Sequence, residues 1–235
     1  MIDIHNHLLF GIDDGSESLE DSINALRIMN SLGYTDIILT PHYIKDSSYS
    51  SSASENFKIL KKLKKAVKEN NIDINLYLGN EIFMDDDIYD LLKKEEIYSL
   101  NGSAYLLIEL PMNGEYPNYI DIFEYLMDKG CHVILAHPER YFAFQEDFDK
   151  IKELHDIGVL FQCNISSLNG KYGRSPEKLI KKLLKSKMVS FLGTDTHHTI
   201  LTMKDFNKAK KTALKYISNS EFENLVINNP SEIIH

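Results

Sequence analysis

Residues 133–140 read VILAHPER. A short apolar run, two of its residues β-branched, leads straight into a histidine, a proline and a charged pair. A run this short suits a buried strand; a helix needs ten residues or more. The same cadence recurs along the chain. It predicts strands at Ile2–His5, Asp36–Thr40, Ile74–Gly79, Tyr105–Glu109, Val133–His137, Val159–Asn164 and Val189–Gly193. Amphipathic stretches separate them. In Ser18–Ser31 the apolar residues are Leu19, Ile23, Leu26, Ile28 and Met29; in Glu55–Glu69 they are Phe57, Leu60, Leu63 and Val67, with lysines opposite. Further helices fit Ile88–Lys93, Tyr119–Lys129, Asp147–Ile157, Pro176–Lys187 and Met203–Ser218, and Ser220–Asn228 closes the chain. Alternating strands and helices imply a mostly parallel sheet with helices outside. Seven such units predict an α/β barrel closed by seven strands, with an open doubly wound sheet as the runner-up. No G-x-G-x-x-G follows the first strand, which removes the main sign of a dinucleotide fold. The serine-rich stretch Asp46–Ser54, DSSYSSSAS, reads as a flexible surface connection, with an active-site lid as the alternative.

The 235 residues match the size of one barrel, and we read 1–235 as a single domain. Hydrophobic residues at 43% and charged residues at 26% supply an ordinary core and surface. A net charge of −9 argues against a basic face for nucleic acid. Met1 is followed at once by a polar, histidine-bearing strand, unlike a signal peptide. No window approaches the ~18 apolar residues of a membrane helix, so no membrane insertion is expected. Cys131 and Cys163 each sit in a strand-like run and are too few for a structural zinc site. They read as reduced thiols of a cytoplasmic protein.

The predicted strands end, in order, at His5-Asn6-His7, Thr40-Pro41-His42, Gly79-Asn80-Glu81, Glu109, His137-Pro138-Glu139-Arg140, Cys163-Asn164 and Gly193-Thr194-Asp195-Thr196-His197-His198. In a parallel barrel these ends share one face, the face where barrel enzymes place their chemistry. Taken singly, His42 or His137 would be a hydrogen-bonded structural histidine, and Glu81 a solvated loop acid. Glu109 is different. It ends the apolar run Ala104–Leu110, where an uncompensated carboxylate would cost several kcal/mol, so it needs a cation or a proton. The joint pattern decides for a metal site. Its candidate ligands are His5, His7, Asp14, His42, Glu81, Glu109, His137, Asp195 and His197. Imidazoles mixed with carboxylates and no thiolate suit manganese, iron, zinc or cobalt. This set exceeds what one ion takes and is enough for two or three with a bridging carboxylate. Adjacent ions clamp a phosphoryl oxygen and lower the pKa of a shared water. The chemistry expected is hydrolysis, of a phosphate ester foremost.

His5-x-His7, Thr40-Pro41-His42, Glu81, His137 and Asp195-x-His197 resemble the pattern of PHP (polymerase and histidinol phosphatase) domains over nearly the whole chain. That resemblance implies a distorted (β/α)7 barrel with a trinuclear metal centre at the C-terminal face of its strands. The segments MIDIHNHLLFGIDDG, LTPH, GNEIF, LIELP, VILAHPERY, GTDTHH and NNPSEII look like one branch: the manganese-dependent protein-tyrosine phosphatases of bacterial capsule and exopolysaccharide loci. Asp14 and Arg140 set this branch apart from a generic PHP domain. The resemblance implies that His5, His7, Glu81 and Asp195 hold one ion. Glu81 would bridge to a second ion held by Glu109 and His137, and Asp14, His42 and His197 would hold the third. Manganese comes first, with iron, zinc, cobalt and magnesium as alternatives. A metal-bridging hydroxide would attack phosphorus in line. Turnover would depend on Arg140, Asp195 and His42, with the Arg140 guanidinium gripping the phosphate; its bland alternative is an ion pair with Glu139.

The implied partner is the phosphotyrosine tail of an autophosphorylated bacterial tyrosine kinase. Tyr43, Tyr49, Tyr141 and Phe142 would ring the mouth and stack on the phenyl group, although Tyr49 fits a mobile loop better. Relatives carry a second arginine shortly after D-x-H; here the segment is HHTILTMKDF, with Lys204 the nearest base and His198 a further candidate. Rival readings are histidinol-phosphate or another small-molecule phosphatase of the same barrel, a non-catalytic module, and an amidohydrolase. The last would need a lysine at a strand end, and none is present.

Overall fold

The computed structural model describes residues 1–197 and 201–235. Its strands, in chain order, are β1 (Ile2–Asp3), β2 (Asp36–Leu39), β3 (His42–Tyr43), β4 (Asn75–Leu78), β5 (Glu81–Phe83), β6 (Tyr105–Glu109), β7 (His132–Ala136), β8 (Leu160–Asn164) and β9 (Phe191–Gly193). All pair in parallel, in the orders β1-β2-β4 and β3-β5-β6-β7-β8-β9. β2 and β3 are one run interrupted at Thr40-Pro41, where proline offers no ladder N–H. β4 and β5 are one run interrupted at Gly79-Asn80. Bonds from Gly79 N–H to the Leu39 carbonyl (2.8 Å) and from Glu81 N–H to the Pro41 carbonyl (3.2 Å) carry the pairing across both breaks. The seven runs predicted from the sequence are therefore present. The first meets the last through Asp195 N–H to the His5 carbonyl and His7 N–H to the Thr196 carbonyl, both 2.8 Å.

Side-chain alternation divides each strand between the lumen and the helical layer. Ile2, Ile4, Ile38, Leu107, Ile134 and Phe191 form the apolar lumen, with Leu100 and Ile233 packed against them. Their neighbours Ile37, Leu39, Leu106, Ile108, Val133 and Leu135 belong to the larger core beneath the helices. Glu109 follows Leu107 by two residues, so it shares the lumen face, above the apolar layer.

The helices are α1 (Leu19–Ser31), α2 (Ala53–Glu69), α3 (Ile88–Lys93), α4 (Tyr119–Asp128), α5 (Phe142–Glu146), α6 (Phe148–Asp156), α7 (Arg174–Lys185), α8 (Met203–Ala213), α9 (Asn219–Glu223) and α10 (Asn229–Ile234). Reciprocal bonds between Ser18 and Asp21 fix the start of α1, and those between Ser52 and Glu55 the start of α2. The cap explains why α2 begins two residues before the predicted Glu55. Ser52 of the 46–54 stretch serves as its N-terminal cap. α7 starts at Arg174, ahead of the expected Pro176, because proline is tolerated in a first turn. α8 stops at Ala213, short of the expected Ser218.

Candidate metal centre

All nine candidate ligands converge at the mouth of the ring. Glu81, fully buried at the start of β5, is the hub. Its Oε1 lies 2.9 Å from His137 Nε2 and 3.2 Å from His5 Nε2; its Oε2 lies 3.0 Å from His42 Nδ1 and 3.2 Å from His7 Nε2. Glu109 closes one side, 3.6 Å from His137 and 3.7 Å from His42. Asp195 closes another, its Oδ1 3.5–3.6 Å from His7, His5 and His197. Asp14 reaches in from the loop after β1, 3.4 Å from His197 and 3.6 Å from His42. Four overlapping groups bring donor atoms within 4.8 Å of one another: His7, Asp14, His42 and His197; His5, His7 and Glu81; His5, His137 and Asp195; His42, Glu81 and Glu109.

These atoms fit cations better than they fit each other. Glu81 Oε2 is buried and makes no hydrogen bond among the described residues, although two imidazole nitrogens stand within 3.2 Å of it. His42 Nδ1, 3.0 Å from that oxygen, is likewise buried without a hydrogen bond among the described residues. Nitrogen and carboxylate lone pairs that converge without a proton aligned between them form the donor set of a divalent ion. Buried carboxylates otherwise need protons. Burial, reinforced by Glu81, pushes Glu109 up to about 9. Burial pulls His5 down, but Glu81 and Asp195 outweigh it and carry His5 up to about 9. Burial also opposes the charge on Glu81, yet His5 and His42 hold it well below the ordinary carboxylate range. Asp14, half exposed, is drawn to about 2 by its bond with His197.

Supporting residues orient the cluster. Asp13 lies 2.7 Å from His7 Nδ1 and accepts the His42 backbone N–H at 2.9 Å. Gln162 Oε1 lies 2.6 Å from His5 Nδ1, which leaves Nε2 facing the centre. Asp195 Oδ2 accepts from Asn164 Nδ2 (2.6 Å), Arg140 Nη1 (3.0 Å) and Tyr172 OH (3.4 Å). None of Asp13, Gln162, Asn164 and Tyr172 is among the candidate residues that the sequence points to; Asp13 stands in it only as the neighbour of Asp14 in the segment GIDDG. The doubled aspartate after a histidine strand was the available signal for Asp13. His137 and Asp195 hold left-handed backbones, with φ of 34° and 48°. Such conformations cost roughly 1–3 kcal/mol each and collect at functional sites.

Several expectations about the rim need correction. Arg140 pairs with Asp195 and not with Glu139, which is buried and accepts from Asn164 N–H (2.8 Å) and Ser167 Oγ (2.7 Å). Tyr43 is buried with its hydroxyl on Glu96, and Tyr141 is buried with its oxygen accepting from Leu110 N–H, so neither rings the mouth. Phe142 is 62% exposed. The Tyr49 ring lies 6.1 Å from that of His42, nearly parallel, and its carbonyl accepts from Ile44 N–H. The serine-rich stretch therefore folds back over the mouth at this point. Lys204 is an exposed residue of α8, and His198 lies outside the described residues.

The family model for capsular polysaccharide synthesis, CpsB/CapC, matches residues 1–235. The chain belongs to the CpsB/CapC family. The CapC protein of Staphylococcus aureus is 40% identical over 199 residues, covering 84% of this chain and 77% of its own. Tyrosine-protein phosphatase CpsB of Streptococcus pneumoniae is 29% identical over 241 residues, covering 100% and 98%. A solved structure from the pair YwqE of Bacillus subtilis and CpsB of S. pneumoniae, described as metal-dependent tyrosine phosphatases, superposes with a TM-score of 0.89 at 26% identity, over 97% of this chain and 95% of that one. The CpsB/CapC chain thus carries the parallel α/β barrel that the PHP resemblance implied.

Proposed function

We propose that residues 1–235 form one metal-dependent protein-tyrosine phosphatase domain, acting in the cytoplasm on the phosphotyrosine tail of a bacterial tyrosine kinase in capsule or exopolysaccharide synthesis. The observation that carries this reading is the convergence of eight other imidazole and carboxylate side chains around Glu81, with the Arg140 guanidinium at their edge. The relatives' names as tyrosine phosphatases support the substrate class. The chain's acidity disfavours nucleic acid, and no described helix is long and apolar enough to cross a membrane.

In this reading His5, His7, Glu81 and Asp195 hold one ion, Glu81, Glu109 and His137 a second, and Asp14, His42 and His197 a third, with manganese the preferred metal. Bound ions supply Lewis-acid polarisation of the phosphoryl oxygens and a water of lowered pKa. The chain supplies the rest. Glu81 spans the groups with both oxygens, so it fixes their spacing. Gln162 and Asp13 lock the rings of His5 and His7, which holds the donor atoms in place before substrate arrives. Arg140 is anchored by Asp195 through one nitrogen and by the Tyr172 ring, 4.5 Å beneath it. Its remaining N–H groups are left to take up phosphate oxygens as charge builds on them.

The test is phosphate release by the manganese-loaded chain from a phosphotyrosine peptide and from histidinol phosphate. We expect the peptide to be preferred by at least tenfold in kcat/KM. Preference for histidinol phosphate would leave the barrel and the metal cluster in place and overturn the substrate.

A further inference from the structure

Beside Arg140 the surface opens into a second cavity of about 410 Å³, lined by Met112, Arg140, Gln145, Tyr172 and Arg174 together with the start of α7. Its composition is unusual for this molecule. The chain carries a net charge of −9 and has only three arginines, Arg27, Arg140 and Arg174. Two of the three line this cavity, and among the described residues no carboxylate does. Arg27 is tied to Asn24 and Asn70, and Arg140 to Asp195. Arg174 makes no hydrogen bond or ion pair among the described residues. The nearest acid in its own helix, Glu177, is engaged by Lys181.

Arg140 stands between the metal cluster and this cavity and touches both. Arg174 touches the cavity and none of the nine candidate ligands. A group bound against Arg174 would therefore be a neighbour of the phosphoryl group under attack, not that group itself. Gln145 Nε2 holds the carbonyls of Glu139 and Arg140 at 3.0 and 3.1 Å, and the Tyr172 ring lies under the Arg140 guanidinium, so the shared wall is fixed. Lys171 Nζ, 5.3 Å from the centre of the same Tyr172 ring, adds positive charge nearby. Met112 and Phe142, joined by the bond from Phe142 N–H to the Met112 carbonyl (3.2 Å), are 45% and 62% exposed and give the rim an apolar edge. A cationic hollow with an apolar lip, next to a phosphate-gripping arginine, has the features of an extended peptide subsite.

We infer that Arg174 and the cavity it shares with Arg140 bind an anionic side chain flanking the phosphotyrosine, so that the substrate segment is recognised by two negative groups and not by the phosphate alone. This rests on the phosphatase reading above. Arg174 is then a specificity residue, and its guanidinium fork suits a carboxylate or a second phosphate equally.

The experiment compares two phosphotyrosine peptides, identical except that the residues beside the phosphotyrosine are acidic in one and alanine in the other. Each is tested on the manganese-loaded full chain and on Arg174→Ala and Arg174→Lys. The native chain is expected to favour the acidic peptide about tenfold in kcat/KM, chiefly through KM, since one charge-assisted contact is at stake. Arg174→Ala should bring that ratio close to one, and Arg174→Lys should restore part of it. A native ratio near one, or a ratio unchanged in Arg174→Ala, overturns the subsite. Equal loss on both peptides and on phenyl phosphate would instead make Arg174 a ligand of the reacting phosphoryl group. If neither peptide is hydrolysed, the phosphatase reading has failed; fluorescence anisotropy of the same two peptides then decides the subsite on binding alone, by the same ratio.

Discussion

Single side chains at this centre do two different jobs, and only one of them shows in a linear sequence. His5, His42, Glu81 and Asp195 could be singled out because each ends an apolar run. Asp13, Gln162, Asn164 and Tyr172 acquire their roles from partners on other runs. Gln162 meets His5 across 157 positions, and Asn164 meets Asp195 across 31. No local spacing encodes such pairs. Tyr43 was legible and was misread: His42 faces the mouth, so period-two alternation turns the next residue toward the core. Asp13 is the orienting residue to test first. It holds the His7 ring and the His42 N–H together. Carboxylates that orient a ligating histidine in this way typically contribute 10–100-fold to metal affinity. Asp13→Ala should therefore weaken manganese binding by roughly that factor, with Asp13→Asn intermediate, and turnover should recover partly at high metal concentration. Calorimetric titration of the two variants reads this directly. A native isotherm for Asp13→Ala would reduce Asp13 to a loop residue.

At the level of elements, the barrel was readable because seven apolar runs alternate with amphipathic helices, and parallel pairing then brings all the polar ends to one face. What escaped were boundaries set by capping chemistry, as at Ser52, and the loop after β1. That loop is cinched by two backbone bonds, Gly11 N–H to the Ser16 carbonyl (2.8 Å) and Ser16 N–H to the His7 carbonyl (2.9 Å). It delivers Asp13 and Asp14 together. The cinch leaves no room at Gly15, where a Cβ would stand 1.9 Å from the His7 carbonyl oxygen. Gly15→Ala must open the loop. Overpacking against backbone costs about 1–3 kcal/mol, which for a chain of this size lowers Tm by roughly 3–10 °C. The same opening should withdraw Asp14 from His42 and His197, so the variant should bind one manganese equivalent fewer. Scanning fluorimetry and metal quantitation check the two effects; native Tm with full metal content would show that the loop adapts without them.

For the whole molecule, the metal cluster is also part of the folding balance. Without cations, protons take their place: His5 rises to about 9 in the folded chain from an ordinary value of 6.5. A group whose pKa rises on folding stabilises the fold fully below about 6.5, and that stabilisation is lost as pH climbs toward 9. Metal binding has the opposite dependence, because imidazoles must shed their protons to coordinate. The metal-free chain should therefore weaken across the window from pH 6.5 to 9 while the loaded chain gains affinity. At a free manganese concentration of 100 Kd, binding contributes about 2.7 kcal/mol, or roughly 5–10 °C in Tm for a domain of this size. The Tm difference between manganese-loaded and chelator-treated protein should widen steadily from pH 6.5 to 8.5, and loading at pH 7 should release protons into a weak buffer. A difference that stays constant or narrows over that range would mean that the buried imidazoles are already neutral in the metal-free chain, and that Glu81 and Asp195 do not hold protons on them.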